Sequence, residues 1–334
     1  MAAAEDMASG VSLAADGTIG LSYNEANKDK PAGDTNSLAR LNLNVTGVTQ
    51  SAAGIEFGGT FRYRSSQSDA NVTSGDWSGA KLHAAMGPVK LELGNIGDAI
   101  DALPGRSAGT AATLTNNGSV AINPIVGFAS QGPGAVNGVN LQYDMAGLKV
   151  YLSATEETML SSDSVTGPAS GDTRGEYQIS KGGAIQSKSQ QVAGHVAYTM
   201  SGWTLAGGVL SGDDDKDIAA LSVTGDLGFM TVGGAFARND DAYIDGDKKE
   251  AADKVRVHAK IPLGATTLIV WGADEDRNGT AAEYKDGGSF GLDLAHDLGG
   301  GVTAVAGYSN VADSNGDNGG KADELASAEI QFKF

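Results

Sequence analysis

The chain has 334 residues, with 49 Gly, 7 Pro, no Cys, 23 Lys and Arg against 41 Asp and Glu, and a net charge of -18. Without Cys there is no disulfide scaffold and no thiolate metal centre, and an acidic chain is a poor general nucleic-acid binder, because such binding neutralises phosphates with Lys and Arg. A mean hydropathy of -0.17, with no run near the ~20 apolar residues of a spanning helix, excludes a bundle of membrane helices.

The opening MAAAEDMASG shows no basic stretch followed by an apolar one, so no secretion signal is visible, and a leader already removed would leave none. The first clear strand is LARLNLNVTGV (38–48). It sets Ala39, Leu41, Leu43 and Val45 against Arg40, Asn42, Asn44 and Thr46. IEFGGTFRYR (55–64) sets Ile55, Phe57, Phe61 and Tyr63 against Glu56, Thr60, Arg62 and Arg64. Further along, KVRVHAKI (254–261) gives one face to Val255, Val257, Ala259 and Ile261 and the other to Lys254, Arg256, His258 and Lys260. The last stretch, ASAEIQFKF (326–334), alternates in the same way up to Phe334. Period-2 alternation of this kind predicts about sixteen strands and no helix.

The connectors alternate too. Short ones are predicted at 49–54, 87–88, 146–147, 201–202, 226–228, 262–264 and 297–301. Long ones fall between them at 24–36, 65–76, 97–138, 156–190, 211–217, 239–253, 273–288 and 312–324. With both ends on the short-turn side, the strand count is even. An even-stranded meander with short turns on one side and long loops on the other predicts a single all-β domain over 1–334, a 16-stranded antiparallel transmembrane β-barrel with short periplasmic turns and long extracellular loops. A soluble β-sandwich, such as a surface protein or adhesin, shows the same alternation with its apolar face inward, but its connector lengths need not alternate.

In the barrel the polar faces line a lumen. The pattern then points Arg40, Arg62, Arg64, Lys81, His83, Arg256, His258 and Lys260 inward with Glu56, because Lys or Arg on the lipid face costs ~2–4 kcal/mol at the midplane. Many of the acids lie in the long loops, for example GDDDKD (212–217) and RNDDAYIDGDKKE (238–250). The loop 97–138 is long, poor in charge and rich in Ala, Gly, Val and Ile. Such a loop suits packing against an inner wall, where it would narrow the pore, with an external flap or subunit contact as the alternative. Folded inward, its Asp98 and Asp101 would face Arg40, Arg62, Lys81 and His83 across a charged constriction. The alternative for that cationic set is plain lumen solvation.

No nucleophile elbow, H-E-x-x-H or Walker loop is present, so no enzyme and no catalytic residue are expected. His83 and His258 stand among cations, which is a poor metal environment. DSNGDNGGKADE (313–324) spaces Asp313, Asn315, Asp317 and Glu324 like a calcium loop, but Asn318 stands where Gly is needed and flanking helices are missing. It reads either as a solvated loop or as a site where Ca²⁺ bridges carboxylates to lipopolysaccharide. Tyr23, Tyr63, Trp77, Tyr143, Tyr151, Trp203, Phe236, Phe290, Tyr308, Phe332 and Phe334 lie mostly near strand ends, as interfacial girdles do.

The stretches RLNLNVTGVT (40–49), GIEFGGTFRYR (54–64), LELGNIGDAID (91–101), LGATT (263–267) and AVAGYS (304–309) and the terminal Phe334 resemble the general diffusion porins of alphaproteobacteria, the Rhodobacter type. The resemblance spans essentially the whole chain. It implies an outer-membrane homotrimer embedded in lipid and lipopolysaccharide and passing ions and small hydrophilic solutes. It also implies an inward third loop, an eyelet in which Asp98 and Asp101 face Arg40, and a terminal Phe that serves as an assembly signal. Asn42, where the family often has an arginine, and the acid-poor loop 97–138 depart from the pattern. The acid-poor loop argues against calcium in the eyelet and toward anion preference. A solute-specific channel is the alternative function.

Overall fold

The computed structural model describes residues 9–25, 34–68, 71–106, 137–158, 165–166, 178–181, 184–185, 189–212, 217–245, 248–277, 287–311 and 323–334. In these, the first strands are β1 (Gly10–Asn24), β2 (Thr35–Gln50), β3 (Glu56–Ser68), β4 (Asn71–Trp77), β5 (Lys81–Met86), β6 (Val89–Asn95), β7 (Asn137–Met145) and β8 (Leu148–Thr158). Three short segments follow, β9 (Val165–Thr166), β10 (Gln178–Lys181) and β11 (Ala184–Ile185), which among the described residues pair with each other. The remainder are β12 (Ser189–Met200), β13 (Trp203–Gly212), β14 (Ile218–Asp226), β15 (Thr231–Asp245), β16 (Lys248–Leu263), β17 (Thr266–Arg277), β18 (Gly287–Gly299), β19 (Val302–Val311) and β20 (Asp323–Lys333).

Each long strand pairs antiparallel with its chain neighbours, and β4 and β5 share one edge of β3, so 17 segments make a barrel of 16 staves. β20 returns to β1 in register from Asp16↔Lys333 to Asn24↔Leu325. Ala15 and Phe334 extend that seam by exchanging both backbone hydrogen bonds, at 2.9 and 3.0 Å. Closure leaves no unpaired edge, the condition a sheet must meet to cross hydrocarbon.

The alternation sorts the two faces. On β16, Arg256 is 1% and Lys254 6% exposed, while Val255 and Val257 are 45% and 60% exposed. Leu205, Val209 and Leu221 also stand outward on β13 and β14. A soluble sandwich would bury these side chains, whereas a lipid-facing belt needs them outside. Leu221→Arg, in mid-strand beside Phe236 and Gly207, is therefore expected to cost about 2–4 kcal/mol. Urea unfolding in lipid vesicles should show the loss, and an unchanged midpoint would contradict the belt assignment.

The short turns lie where the sequence places them. Two are type I′ by their positive φ at both central residues, Ala146 (53°) with Gly147 (85°) and Ser201 (52°) with Gly202 (82°). That twist matches the flanking strands. Two of the expected long loops differ. Residues 65–76 and 239–253 continue largely as paired ribbon, with Ser68↔Asn71 and Tyr243↔Glu250 in register. Beyond the membrane both faces of a strand meet water, so the ladder persists without the apolar alternation that would reveal it.

Tyr151 also departs from the expected girdle. It faces the lumen, stacked on His195 with ring centroids 5.5 Å apart. At the rim of β20, by contrast, Phe332 and Phe334 stack at 5.8 Å and Phe334 is exposed.

Candidate functional site: the constriction

The third long connector leaves β6 at Asn95 and turns into the barrel. Ile96, Ala99, Ile100 and Leu103 are all buried. Ala99 and Ile100 pack on Ala193, Leu210 and Ile218, while Leu103 sits among Ala197, Ala206, Ala220, Ala235 and Ala237. These alanines occupy lumen-facing positions on β12–β15, and their small side chains leave room for the loop. Polar contacts fix the same path. The Ala99 N–H donates to Ser153 Oγ at 2.9 Å, and His195 Nδ1, protonated in this arrangement, donates to the Ala99 carbonyl at 2.5 Å. The Tyr151 hydroxyl donates to the Gly97 carbonyl at 3.3 Å, and the Ser222 hydroxyl to the Pro104 carbonyl. Residues 96–106 thus cross the inner wall from β8 to β15. Residues 107–136 of the expected constriction loop lie outside the described residues.

The loop's acids are committed locally. Asp98 is 3% exposed and caps a turn, its Oδ1 accepting from the N–H groups of Ile100 (2.6 Å) and Asp101 (2.7 Å). Its position in the structure is inside the loop packing, not on a water-facing rim. Burial pushes its carboxyl up to about 6, helped by the charge of Asp101 and opposed by the two N–H bonds and by Arg106. Asp101 pairs with Arg106 at 2.7 Å.

The sign for Asp98 follows from that elevation. The docked loop binds a proton more tightly than the free carboxyl, so docking is favoured as pH falls below 6 and weakens as pH rises from about 4 to 6, by up to ~1.4 kcal/mol per unit. Amide-exchange protection factors of 96–106 are expected to be higher at pH 5 than at pH 7. In Asp98→Asn, which keeps the acceptor, that gain at pH 5 should be lost. Flat protection in the unsubstituted chain would contradict this.

The wall cations form three groups. Arg40, Arg62 and Arg64 cluster on β2 and β3, close enough to act on one another electrostatically, with Asp16 and Glu329 nearby. Asn42 organises the cluster. Its Nδ2 donates to Asp16 Oδ2 at 2.7 Å and its Oδ1 accepts from Arg64 Nε at 2.9 Å. Lys81 stands apart, 3.5 Å from the buried Glu92, which also takes Lys90 at 2.8 Å and Asn140 at 2.9 Å. His83 faces Gly58, four residues below Arg62 on β3 or about 13 Å toward the short turns, and meets Glu56 at 3.0 Å. The structure therefore brings Arg40, Arg62 and Arg64 together and leaves His83 with Glu56 nearer the periplasmic mouth.

On β16, Arg256 lies over Trp271 at 5.0 Å from the ring centroid, with no hydrogen-bond partner among the described residues. Arg106 and Asp293 are the charges acting on it. His258 lies against Gly233, and Lys260 is exposed toward the short turns. Glu92, Trp271, Tyr151 and His195 carry the geometry of the wall and were not singled out as lumen residues from the sequence. Inward parity on β8 and β12 was the signal available for Tyr151 and His195. Of the expected calcium ligands, Asp313, Asn315 and Asp317 lie outside the described residues, and Glu324 stands on β20 opposite Asn310. Among the described residues no three His, Cys, Asp or Glu converge as a metal site.

A closed barrel of 16 staves with an apolar outer belt, a charged inner wall and a loop strapped across the lumen defines an outer-membrane channel. The chain belongs to the Gram-negative porin family, whose profile matches residues 1–317. A porin of Fuscovulum blasticum is 25% identical over 316 residues, which is 91% of this chain and 97% of that protein. An engineered variant of the Rh. blastica porin superposes with a TM-score of 0.65 at 20% identity, covering 97% of this chain and 100% of that one. A second variant gives a TM-score of 0.66, also at 20% identity. The protein is an outer-membrane porin, a channel-forming β-barrel.

Proposed function

We propose that this porin is a general diffusion channel for ions and small hydrophilic solutes, assembled as a homotrimer, whose constriction favours anions. The observation that carries the reading is the imbalance at the eyelet. Arg40, Arg62 and Arg64 cluster on β2 and β3, while across the ring the loop's Asp98 is buried in a turn and its Asp101 is paired with Arg106. Charge that remains at a narrow aqueous constriction sets which ions pass.

The test is single-channel recording in a planar bilayer under a KCl gradient. Stepwise conductance with a reversal potential of anion-selective sign is expected, and clear cation selectivity would overturn the preference. Heat-modifiable mobility of the detergent-extracted protein checks the trimer. The calcium expectation at Asp313, Asn315, Asp317 and Glu324 rests on sequence spacing, and isothermal titration without Ca²⁺ heat would end it.

A further inference from the structure

Glu92 is an acid sunk into the lumen wall. It is 3% exposed on β6, directly opposite Asn140 on β7, which is 1% exposed. Both of its carboxylate oxygens are used. Oε1 meets Lys90 at 2.8 Å and Lys81 at 3.5 Å, while Oε2 accepts from Asn140 Nδ2 at 2.9 Å and from Gln142 Nε2 at 3.0 Å. The two ion pairs reach toward the pore water, since each lysine side chain is 38% exposed, whereas the Asn140 bond is buried.

From Asn140 a line of hydrogen bonds runs to the strap. Asn140 Nδ2 also donates to the Tyr151 hydroxyl at 2.6 Å, and that hydroxyl donates to the Gly97 carbonyl at 3.3 Å. The direction of each bond follows from Glu92. A carboxylate only accepts, so it draws the Asn140 nitrogen to its side and leaves Asn140 Oδ1 to accept from Gln142 Nε2 at 3.2 Å. A flipped amide would set oxygen against carboxylate and nitrogen against nitrogen. With the nitrogen fixed, the Tyr151 oxygen accepts from it, and its single proton is free for Gly97. Were Asn140 to present its oxygen, that proton would turn to Asn140 and Gly97 would lose its donor.

We propose that Glu92 is a positioning residue for the constriction: acting through Asn140, it turns the Tyr151 hydroxyl onto the Gly97 carbonyl and so holds the root of the strap against the wall. Its pairing with Lys81 and Lys90 is separate from this role. Buried polar chains act as units, because a member turned the wrong way leaves an unmet group at low dielectric. The proposal rests on the reading of the strap as the element that narrows the porin's pore.

The experiment is amide hydrogen exchange at Ala99, whose N–H is held by Ser153 Oγ, on the full-length protein in lipid vesicles. Tyr151→Phe keeps the ring that stacks on His195 and removes only the hydroxyl. It is expected to speed Ala99 exchange about threefold, as the loss of one modest hydrogen bond implies. In a Glu92→Met background the same substitution should add nothing, whatever Glu92→Met does alone, and in a Lys90→Met background it should keep its threefold effect. Asn140→Ala cuts the line with every charge in place. It should also silence Tyr151→Phe, and it decides the matter if Glu92→Met does not assemble. A threefold effect of Tyr151→Phe that persists in the Glu92→Met or Asn140→Ala protein overturns the proposal, as does no effect in the unsubstituted one.

Single-channel recording reads the consequence for the pore. Tyr151→Phe should raise open-channel noise without moving the reversal potential, whereas Glu92→Met, which bares Lys81 and Lys90, should also move it toward anions. Coupled exchange without added noise overturns the link from Glu92 to the pore and leaves the porin standing. Absence of any channel current overturns the porin reading, and the exchange result is independent of it.

Discussion

Neutralising Arg40, Arg62 and Arg64 together with glutamine is expected to remove the anion preference and move the channel toward cations. The three guanidinium groups share one patch of wall, tied to Asp16 through Asn42. At about 10 Å in water each unit charge acts on a passing ion with about 0.4 kcal/mol. Three such charges amount to roughly 1.2 kcal/mol, or about eightfold in local ion occupancy, before screening. In 0.1 M salt the effect falls to about twofold, so the measurement belongs at low ionic strength. Reversal potentials for the glutamine variant should shift toward the cation side as salt is lowered, while the triple lysine variant should keep the original sign. A glutamine variant with unchanged selectivity at all salt concentrations would place the selecting charges elsewhere.

Loosening the strap should have the larger effect on conductance. Ile100 and Leu103 are 1% and 4% exposed and are seated in two separate apolar clusters of the inner wall. Truncating each to alanine costs about 2–5 kcal/mol. The hydrogen bonds that Ser153, Tyr151, His195 and Ser222 make with the strap contribute about 1 kcal/mol each. The double variant Ile100→Ala, Leu103→Ala therefore loses more than those bonds supply, and residues 96–106 are expected to leave the wall. Single-channel conductance should become larger and noisier, with faster amide exchange over 96–106. The barrel's thermal stability should change little, because its ladder closes independently of the loop. Conductance indistinguishable from that of the unsubstituted channel would show that the strap does not set the pore.

The two outcomes draw on features of unequal visibility in the chain. Arg40, Arg62 and Arg64 were legible as lumen residues because strand parity is strict, and a one-residue slip would carry Leu41 and Phe61 inward and the arginines into lipid. The loop's inward fold was legible from its composition. Its seat was not, since Ala197, Ala206, Ala220, Ala235 and Ala237 read in sequence as neutral strand residues and become a groove only when β12–β15 stand side by side. The role of Asp98 was hidden for a similar reason. A carboxylate that caps a buried turn and one that faces water have the same letter, and only the path of residues 96–103 distinguishes them.

By itself the sequence determined the strands, the closed meander, the lipid-facing side and the membrane in which the chain works. Those properties follow from local periodicity and from the cost of exposing backbone or charge to hydrocarbon, which act residue by residue. The tertiary structure alone decided which charges meet. Glu92 reaches Lys81, Asn42 bridges Asp16 and Arg64, and Arg256 settles on Trp271. Each pairing depends on the relative height of residues on different staves, set by the register of the whole ring, and no local pattern encodes that height.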